Sequence, residues 1–452
     1  MNETFLDFYR CPETFGRFTI AADLGNDSGF FKFGPDVTCF GRCSPGHASA
    51  SPHNGLHDLL PDVTPNHSSL GLPFDLDQTI NNLRLEKYTG GAANSAKHRM
   101  VRGGYYFIRP ALGVPVRKQL QKLFLRGWEK RPFPRWPVDT TVEQLFERLM
   151  GLAMKSQNTE AIPFIWFWPG GAPSCVMMTH DVETRAGAGF CAKLMDLDDA
   201  FEIRASFQIV PEERYPVSRE FLAGIRQRGF EVNVQDLNHD GHLFRNQETF
   251  LARVQAINRC AAAYGARGFR SAAMYRNPAW YDAFEISYDL SIPNVAHLEP
   301  QRGGCCTVFP YFIGKILELP LTTAQDYSLF HILNDYSIEL WKRQIDLIRQ
   351  RHGLISFIVH PDYVIAERAR KTYRAILEHL TQLRADGEAW FALPGDVDTW
   401  WRQRAAMRLT TEGGQWVIKG PGAERARIAF ARREGDGLAY HISDPASAAC
   451  PV

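Results

Sequence analysis

From residue 174 onward, short β-prone runs alternate with amphipathic helical patterns, and this rhythm constrains the fold more than any other feature of the chain. The strand candidates are "CVMMT", "IRASFQIV", "FEVNV", "GFRS", "ILELPL", "LISFIVH" and "WFAL". Between them lie "SREFLAGIRQR", "NQETFLARVQAINRCAAAYG", "SIELWKRQIDLIRQRHG" and "AERARKTYRAILEHLTQLRADG". In the second of these, Leu251, Val254, Ile257 and Ala261 recur at helical spacing and predict its buried face. Alternating βα units predict a parallel sheet, because each crossover helix returns the chain to start the next strand in the same direction. Seven strands in about 220 residues point to a barrel closed by one strand fewer than eight, with a doubly wound open sheet as the competing arrangement.

The rest of the chain lacks this rhythm. Residues 1 to about 160 carry short strand-like runs, "RFTIAADLG" and "GFFKFG", then a stretch rich in Ser, Pro, His and Gly, "SPGHASASPHNGLHDLLPDVTPNHSSLG", which reads as a long loop. "TTVEQLFERLMGLAMKSQ" predicts a helix opened by a Thr cap. After "DVDTWWRQRAAM" come "GQWVIKG" and "RIAFARR", short strand-like pieces of a small β appendage. The expected layout is therefore an N-terminal α+β domain over 1–160, an α/β barrel over 161–405 and a β-rich appendage over 406–452. A length of 452 residues accommodates it, since a barrel of about 250 residues uses over half.

Composition removes several function classes. The net charge of +1 gives no electrostatic footprint for nucleic acid. No apolar run reaches the roughly 20 residues of a membrane span. "MNETFLDFYRCPETF" lacks a basic region followed by an apolar one, so no secretory signal is expected there and a cytoplasmic location is. The nine cysteines form no paired C-x-x-C array and read as reduced, mostly structural thiols. From Arg117 to Arg135 basic residues interleave with Leu, Phe and Trp. That segment reads either as a peripheral membrane contact or as a helix with one apolar and one solvated basic face.

Polar residues gather where the predicted strands end. "SCVMMTHDVE" stops in Asp181 and Glu183; "FEVNV" runs into "QDLNHDGH", with Gln235, Asp236, His239, Asp240 and His242; "GFRS" ends at Arg270; "LISFIVH" ends at His360. In parallel α/β sheets, sites form at the carboxyl ends of strands. Taken singly, His239 and His242 could be surface residues of a polar turn, His360 a satisfied core histidine and Arg270 a structural pair. Taken together they favour metal-assisted hydrolysis. Carboxylate and imidazole suit Zn²⁺ and similar ions, a second carboxylate can deprotonate water, an Arg can orient it, and a distant His can protonate a leaving amine.

The order "THDVE", "NHDGH", "GFRS", "LELPL", "SFIVHPDY" resembles the polysaccharide deacetylases of carbohydrate esterase family four, over roughly residues 165–403. The resemblance implies a distorted seven-stranded (β/α) barrel, a bound divalent metal (Zn, or Mn, Co or Mg) and hydrolysis of an N-acyl group. Carried onto this chain it implies Asp181 as base and a possible metal contact, Arg270 as its partner, Glu183 and His239 as metal ligands and His360 as general acid. Two positions depart from the family pattern. Val182 stands where the family's metal-binding Asp falls, leaving Glu183 as the replacement. Gln235 stands on the first of the two metal histidines, with Asp236 or His242 as substitutes. The implied substrate is an N-acetylated sugar or glycan precursor, nucleotide- or lipid-linked; a small cyclic or linear amide is a further possibility. The alternative is a catalytically silent carbohydrate-binding or scaffold protein on the same barrel, motivated by Val182 and Gln235. Segment 297–312, "HLEPQRGGCCTVFPYF", is expected to line the cleft.

Overall fold

The computed structural model describes residues 3–443 apart from 22, 54, 67, 68, 91–124 and 436. Contacts divide the chain into two units, Met1–Tyr88 with Thr140–Pro173 and Thr399–Val452, and Thr89–Asp139 with Ser174–Asp398. These cuts differ from the expected 1–160, 161–405 and 406–452. The reason is strand pairing. Residues Ile428–Glu434 lie antiparallel to Ala161–Ile165, from Ile428↔Ile165 to Arg432↔Ala161, so the C-terminal strands extend a sheet of the first unit.

In the first unit, β1 (Phe18–Ile20), β5 (Ser69–Leu72) and β4 (Thr64–Asn66) form one small sheet, while β2 (Ser28–Lys32) and β3 (Thr38–Arg42) form a hairpin with Phe30 opposite Phe40. The stretch read as a long loop is partly tied down: Phe30 and Ser49 exchange both backbone hydrogen bonds, and Lys32 does the same with His57 and Leu59. The helix Thr141–Ser156 buries Val142, Leu145, Phe146, Leu149, Met150, Ala153 and Met154. Phe146 stacks on Phe8 at 4.6 Å. Thr140 occupies the cap position without making the side-chain bond expected of it.

In the second unit, β7 (Cys175–Val182), β8 (Ala205–Ile209), β9 (Glu231–Gln235), β10 (Gly268–Arg270), β11 (Tyr288–Asp289), β13 (Ile316–Glu318) and β14 (Leu354–Ile358) are parallel. Their order is β13-β11-β10-β9-β8-β7-β14, and β12 (Tyr311–Ile313) is antiparallel outside β13. The sheet curls until the chain leaving β13 meets β14. Thr322 N–H donates to Ser356 Oγ at 2.9 Å and Ser356 N–H to Thr322 Oγ1 at 2.9 Å. Two strand expectations need revision. The run "WFAL" contributes only Trp390–Phe391, which pairs low on β7 beside Cys175 and Val176 and stands outside the parallel row. Its place in the row is taken by the two-residue β11, too short to carry a periodic signal.

Helices cover the outside of the sheet. Arg185–Ala200, Arg219–Gln227 and Gln247–Tyr264 are each capped by a side chain accepting a backbone N–H: Thr184 from Gly187, Ser218 from Phe221 and Asn246 from Thr249. The buried face of the third is Phe250, Val254, Ile257 and Ala261; Leu251, expected there, is 48% exposed. Inside the sheet Gly268 lies against Tyr288, where a Cβ would sit 2.1 Å from the ring, so only glycine lets β10 and the tyrosine pack. Among the described residues no helix is long and apolar enough to cross a membrane. The basic segment from Arg117 lies outside the described residues as far as 124; beyond it Trp128–Lys130 forms a short 3₁₀ turn.

Candidate active site

Strand β7 is buried along its whole length, and its alternation sorts its polar residues to two sides. His180 faces the helix layer. Its Nδ1 lies 3.0 Å from the Val359 carbonyl and its Nε2 2.9 Å from Asp198, so it is a satisfied structural histidine. Thr179 and Asp181 face the interior, where Arg270 of β10 meets both. Its guanidinium donates to Thr179 Oγ1 at 2.8 Å and to Asp181 Oδ1 at 2.5 Å, and its Nε to the Leu290 carbonyl at 3.1 Å. Arg270 is thereby fixed at three points, and Asp181 is aimed by it.

Glu183 follows two residues on and stays on the side of Asp181. Gln235, the last residue of β9, donates its amide to Asp181 Oδ2 at 3.2 Å and to Glu183 Oε1 at 3.0 Å. His239 Nε2 lies 2.7 Å from Glu183 Oε1 and forms an ion pair with it. His360 Nε2 lies 3.4 Å from the same oxygen. Burial opposes charge on Glu183, yet the imidazoles of His239 and His360 hold its carboxyl well below the usual range. Burial disfavours the charged form of His239 too, and the Glu183 carboxylate reverses this and raises it.

His360 is held from behind. Asp326 accepts from the His360 backbone N–H at 2.7 Å and lies 2.6 Å from its Nδ1. Against the cost of burial, Asp326 and then Glu183 raise His360 well above an ordinary histidine. Tyr363 sits 4.7 Å from the His360 ring, with Tyr327 5.8 Å and His331 4.9 Å from Tyr363, forming an aromatic group beside it. Asp326 carried no sequence signal, since it lies in the connection after β13 and ends no strand.

The structure brings Asp181, Glu183, Gln235, His239, Arg270 and His360 together. Among them Asp181, Glu183 and His360 each offer a ligand atom within 4.8 Å of the others. His360, expected apart from the metal ligands, therefore stands beside them. His242 turns away: its Nδ1 is 3.3 Å from Asp240, whose carboxylate also takes two bonds of 2.7 Å from Arg253. Asp236 is buried with one oxygen on the Leu237 N–H at 2.7 Å and the other without a partner. Asp236 and His239 both adopt positive φ, +51° and +55°, so the turn after β9 is bent sharply to present them. Of segment 297–312, Glu299 is buried and receives the Gln325 amide at 2.7 Å, next to Asp326 in sequence.

The donor set fits a divalent cation. Two carboxylates and two imidazoles converge, and the buried Oε1 of Gln235 is left without a hydrogen-bond partner. The Gln235 amide, turned over, would present that oxygen to the same centre.

No family model matches the chain, and no curated protein matches it. Solved structures do. A Mycobacterium smegmatis protein that carries the name polysaccharide deacetylase is 17% identical with a TM-score of 0.44, covering 53% of this chain and 93% of that one. Puue allantoinase is 12% identical with a TM-score of 0.42, covering 52% and 92%. A mutant of BA3943, a CE4 family pseudoenzyme with restored enzymatic activity, is 14% identical with a TM-score of 0.30, covering 50% and 67%. Over about half of its length the chain is thus similar to polysaccharide deacetylases and to an allantoinase.

Proposed function

We propose that the chain is a metal-dependent amide hydrolase that removes an N-acyl group, acetyl foremost, from a sugar or glycan precursor. The observation carrying this reading is that an Arg-held carboxylate, a second carboxylate, an imidazole paired with that second carboxylate and an Asp-backed imidazole meet at the carboxyl ends of β7, β9, β10 and β14. Glu183, His239 and Asp181 would hold the ion, with Gln235 Oε1 as a further donor. When bound, the ion supplies Lewis acidity, polarising an acyl oxygen and acidifying water. Asp181, oriented by Arg270, takes a proton from the attacking water. His360 gives a proton to the departing amine, and Asp326 keeps its Nδ1–H in place so that Nε2 faces the site. Tyr363 and Tyr327 offer flat apolar faces of the kind a sugar ring packs on. A cytoplasmic location and a nucleotide- or lipid-linked precursor belong to the same proposal.

The test is bound-metal analysis joined to a panel of N-acetylated sugars, free, nucleotide-linked and lipid-linked, beside small linear and cyclic amides. Acetate release from a sugar that stops on chelation supports the reading. Turnover of the small amides alone transfers the protein to another amidase class. One observation favours a second reading, a catalytically silent carbohydrate binder: the Gln235 amide already bridges both carboxylates, so its N–H groups do what a cation would do. A protein that binds sugar, holds no metal and releases no acetate is that second protein.

A further inference from the structure

The first unit carries a second gathering of metal-ligating side chains, unrelated to the barrel site. His47, His57 and Asp62 each offer a ligand atom within 4.8 Å of the others. The rings of His47 and His57 are stacked, centroids 3.7 Å apart at 16°, and His57 Nε2 lies 3.8 Å from Asp62 Oδ2. His47 Nδ1 is shut off from solvent and has no hydrogen-bond partner.

Backbone pairing, rather than chance on a loose loop, puts these residues side by side. Phe30 N–H donates to the Ser49 carbonyl at 2.7 Å, and Lys32 N–H to the His57 carbonyl at 2.8 Å, so both ends of the intervening chain are pinned along one strand, β2. Asp58 fixes the next turn by accepting from Gly34 N–H at 2.7 Å and Leu60 N–H at 3.0 Å, and Asp62 closes the 3₁₀ turn Leu60–Asp62. Asp58 is thus engaged with the backbone, and Asp62 is left as the carboxylate facing the rings.

We propose that His47, His57 and Asp62 form a structural binding site for a divalent transition ion of the zinc class, which clamps the segment between β3 and β4. A neutral imidazole carries one ring nitrogen with a free lone pair, the form that binds metals. Two nitrogens and one carboxylate oxygen suit Zn²⁺ and its neighbours; Ca²⁺ and Mg²⁺ call for oxygen throughout. The side chains of His57 and Asp62 are 47% and 43% exposed, which leaves room for water to complete a tetrahedron. Stacked rings keep their lone pairs in parallel planes, so one ring must turn to converge on the ion. The exposed His57 can do so about its broad second side-chain torsion.

The experiment uses the tag-free full chain, stripped with chelator and dialysed against Co²⁺ or Zn²⁺. Bound equivalents are counted by elemental analysis and, for Co²⁺, by visible absorption. Wild type should hold one equivalent more than His57→Ala and one more than Asp62→Asn, and Asp181→Asn should keep that equivalent. Both substituted side chains are nearly half exposed, so their loss does not open the core. Unchanged counts in His57→Ala and Asp62→Asn would overturn the proposal. A barrel site that binds nothing lowers every count by one and leaves the difference intact, so the two metal assignments fail separately.

Discussion

His360 shows how one side chain serves either of two roles until its partners are weighed. Its Nε2 is near enough to Glu183 to stand in a metal shell, while its Nδ1 is held by Asp326 as a proton donor's would be. The deciding contrast is His239, whose Nε2 stands closer to Glu183, at 2.7 Å against 3.4 Å. His360→Ala should therefore lower kcat about 10²–10⁴-fold with metal content unchanged, and His239→Ala should lose the metal. Metal lost from the first variant and kept by the second would exchange the two roles. Gln235→His replaces a hard amide donor with imidazole and removes the bridge between Asp181 and Glu183; zinc titration should show tighter binding than in wild type. Indifference would place the ion away from residue 235. Asp181, Glu183, Arg270 and His360 were legible because each ends or directly follows an apolar strand run, where an ionisable residue is conspicuous. Asp326 and Glu299 were not, because a carboxylate inside an irregular connection has no pattern to break. His242 is expected as a substitute ligand, but the chain bends through positive φ at His239 and Gly241 and sets its ring beside Asp240.

At the scale of elements, the parallel row shows why six of its members could be read and one could not. Runs such as "LISFIVH" are apolar enough to announce a buried strand, whereas β11 is two residues long and known only by its neighbours. Leu251 is a one-position error of the same origin, since a helix that is apolar at both 250 and 251 leaves its inner face ambiguous. Strand β11 also sets a testable cost. Asp289 is in register with Glu318 of β13, and both are buried. Asp289 accepts from Tyr281 OH at 2.9 Å and Ser291 Oγ at 2.6 Å, while Glu318 accepts the Ile292 N–H at 2.9 Å. Burial, and then the charge of Asp289, push Glu318 well above the usual carboxylate range. The folded chain thus binds this proton more tightly than the unfolded chain. Stability then falls as pH rises from the ordinary carboxylate pKa towards the raised one, by about 1.4 kcal/mol per pH unit at most. Glu318→Gln keeps the acceptor for Ile292 and has no proton to lose. Melting curves of the two proteins should diverge from about pH 5 upward, the variant being the more stable. Parallel curves would mean that Glu318 does not titrate in that window.

At the scale of the whole chain, what linear reading could not supply is which distant segments share a unit. The strand Ile428–Glu434 and its partner Ala161–Ile165 have no sequence feature in common that pairs them, and the register is visible only in the fold. The first unit is assembled from both chain ends and a middle segment, and Arg404 joins all three. Its side chain is buried, with Nε donating to the Trp166 carbonyl at 3.0 Å and one terminal nitrogen to the carbonyls of Phe8 and Ile165, both at 2.7 Å. Phe8 lies in the helix Glu3–Tyr9 and Ile165 ends the strand Ala161–Ile165. Only a planar fork with several donors can satisfy these carbonyls at once from one position. Arg404→Met leaves them buried without a donor, and the unit should lose about 3 kcal/mol or more in chemical denaturation. Arg404→Lys is the informative companion. It keeps the positive charge but offers a compact ammonium in place of the fork, so it should recover only a minor part of the loss. A lysine variant as stable as wild type would show that the charge alone, and not the geometry of the guanidinium, holds the three segments together.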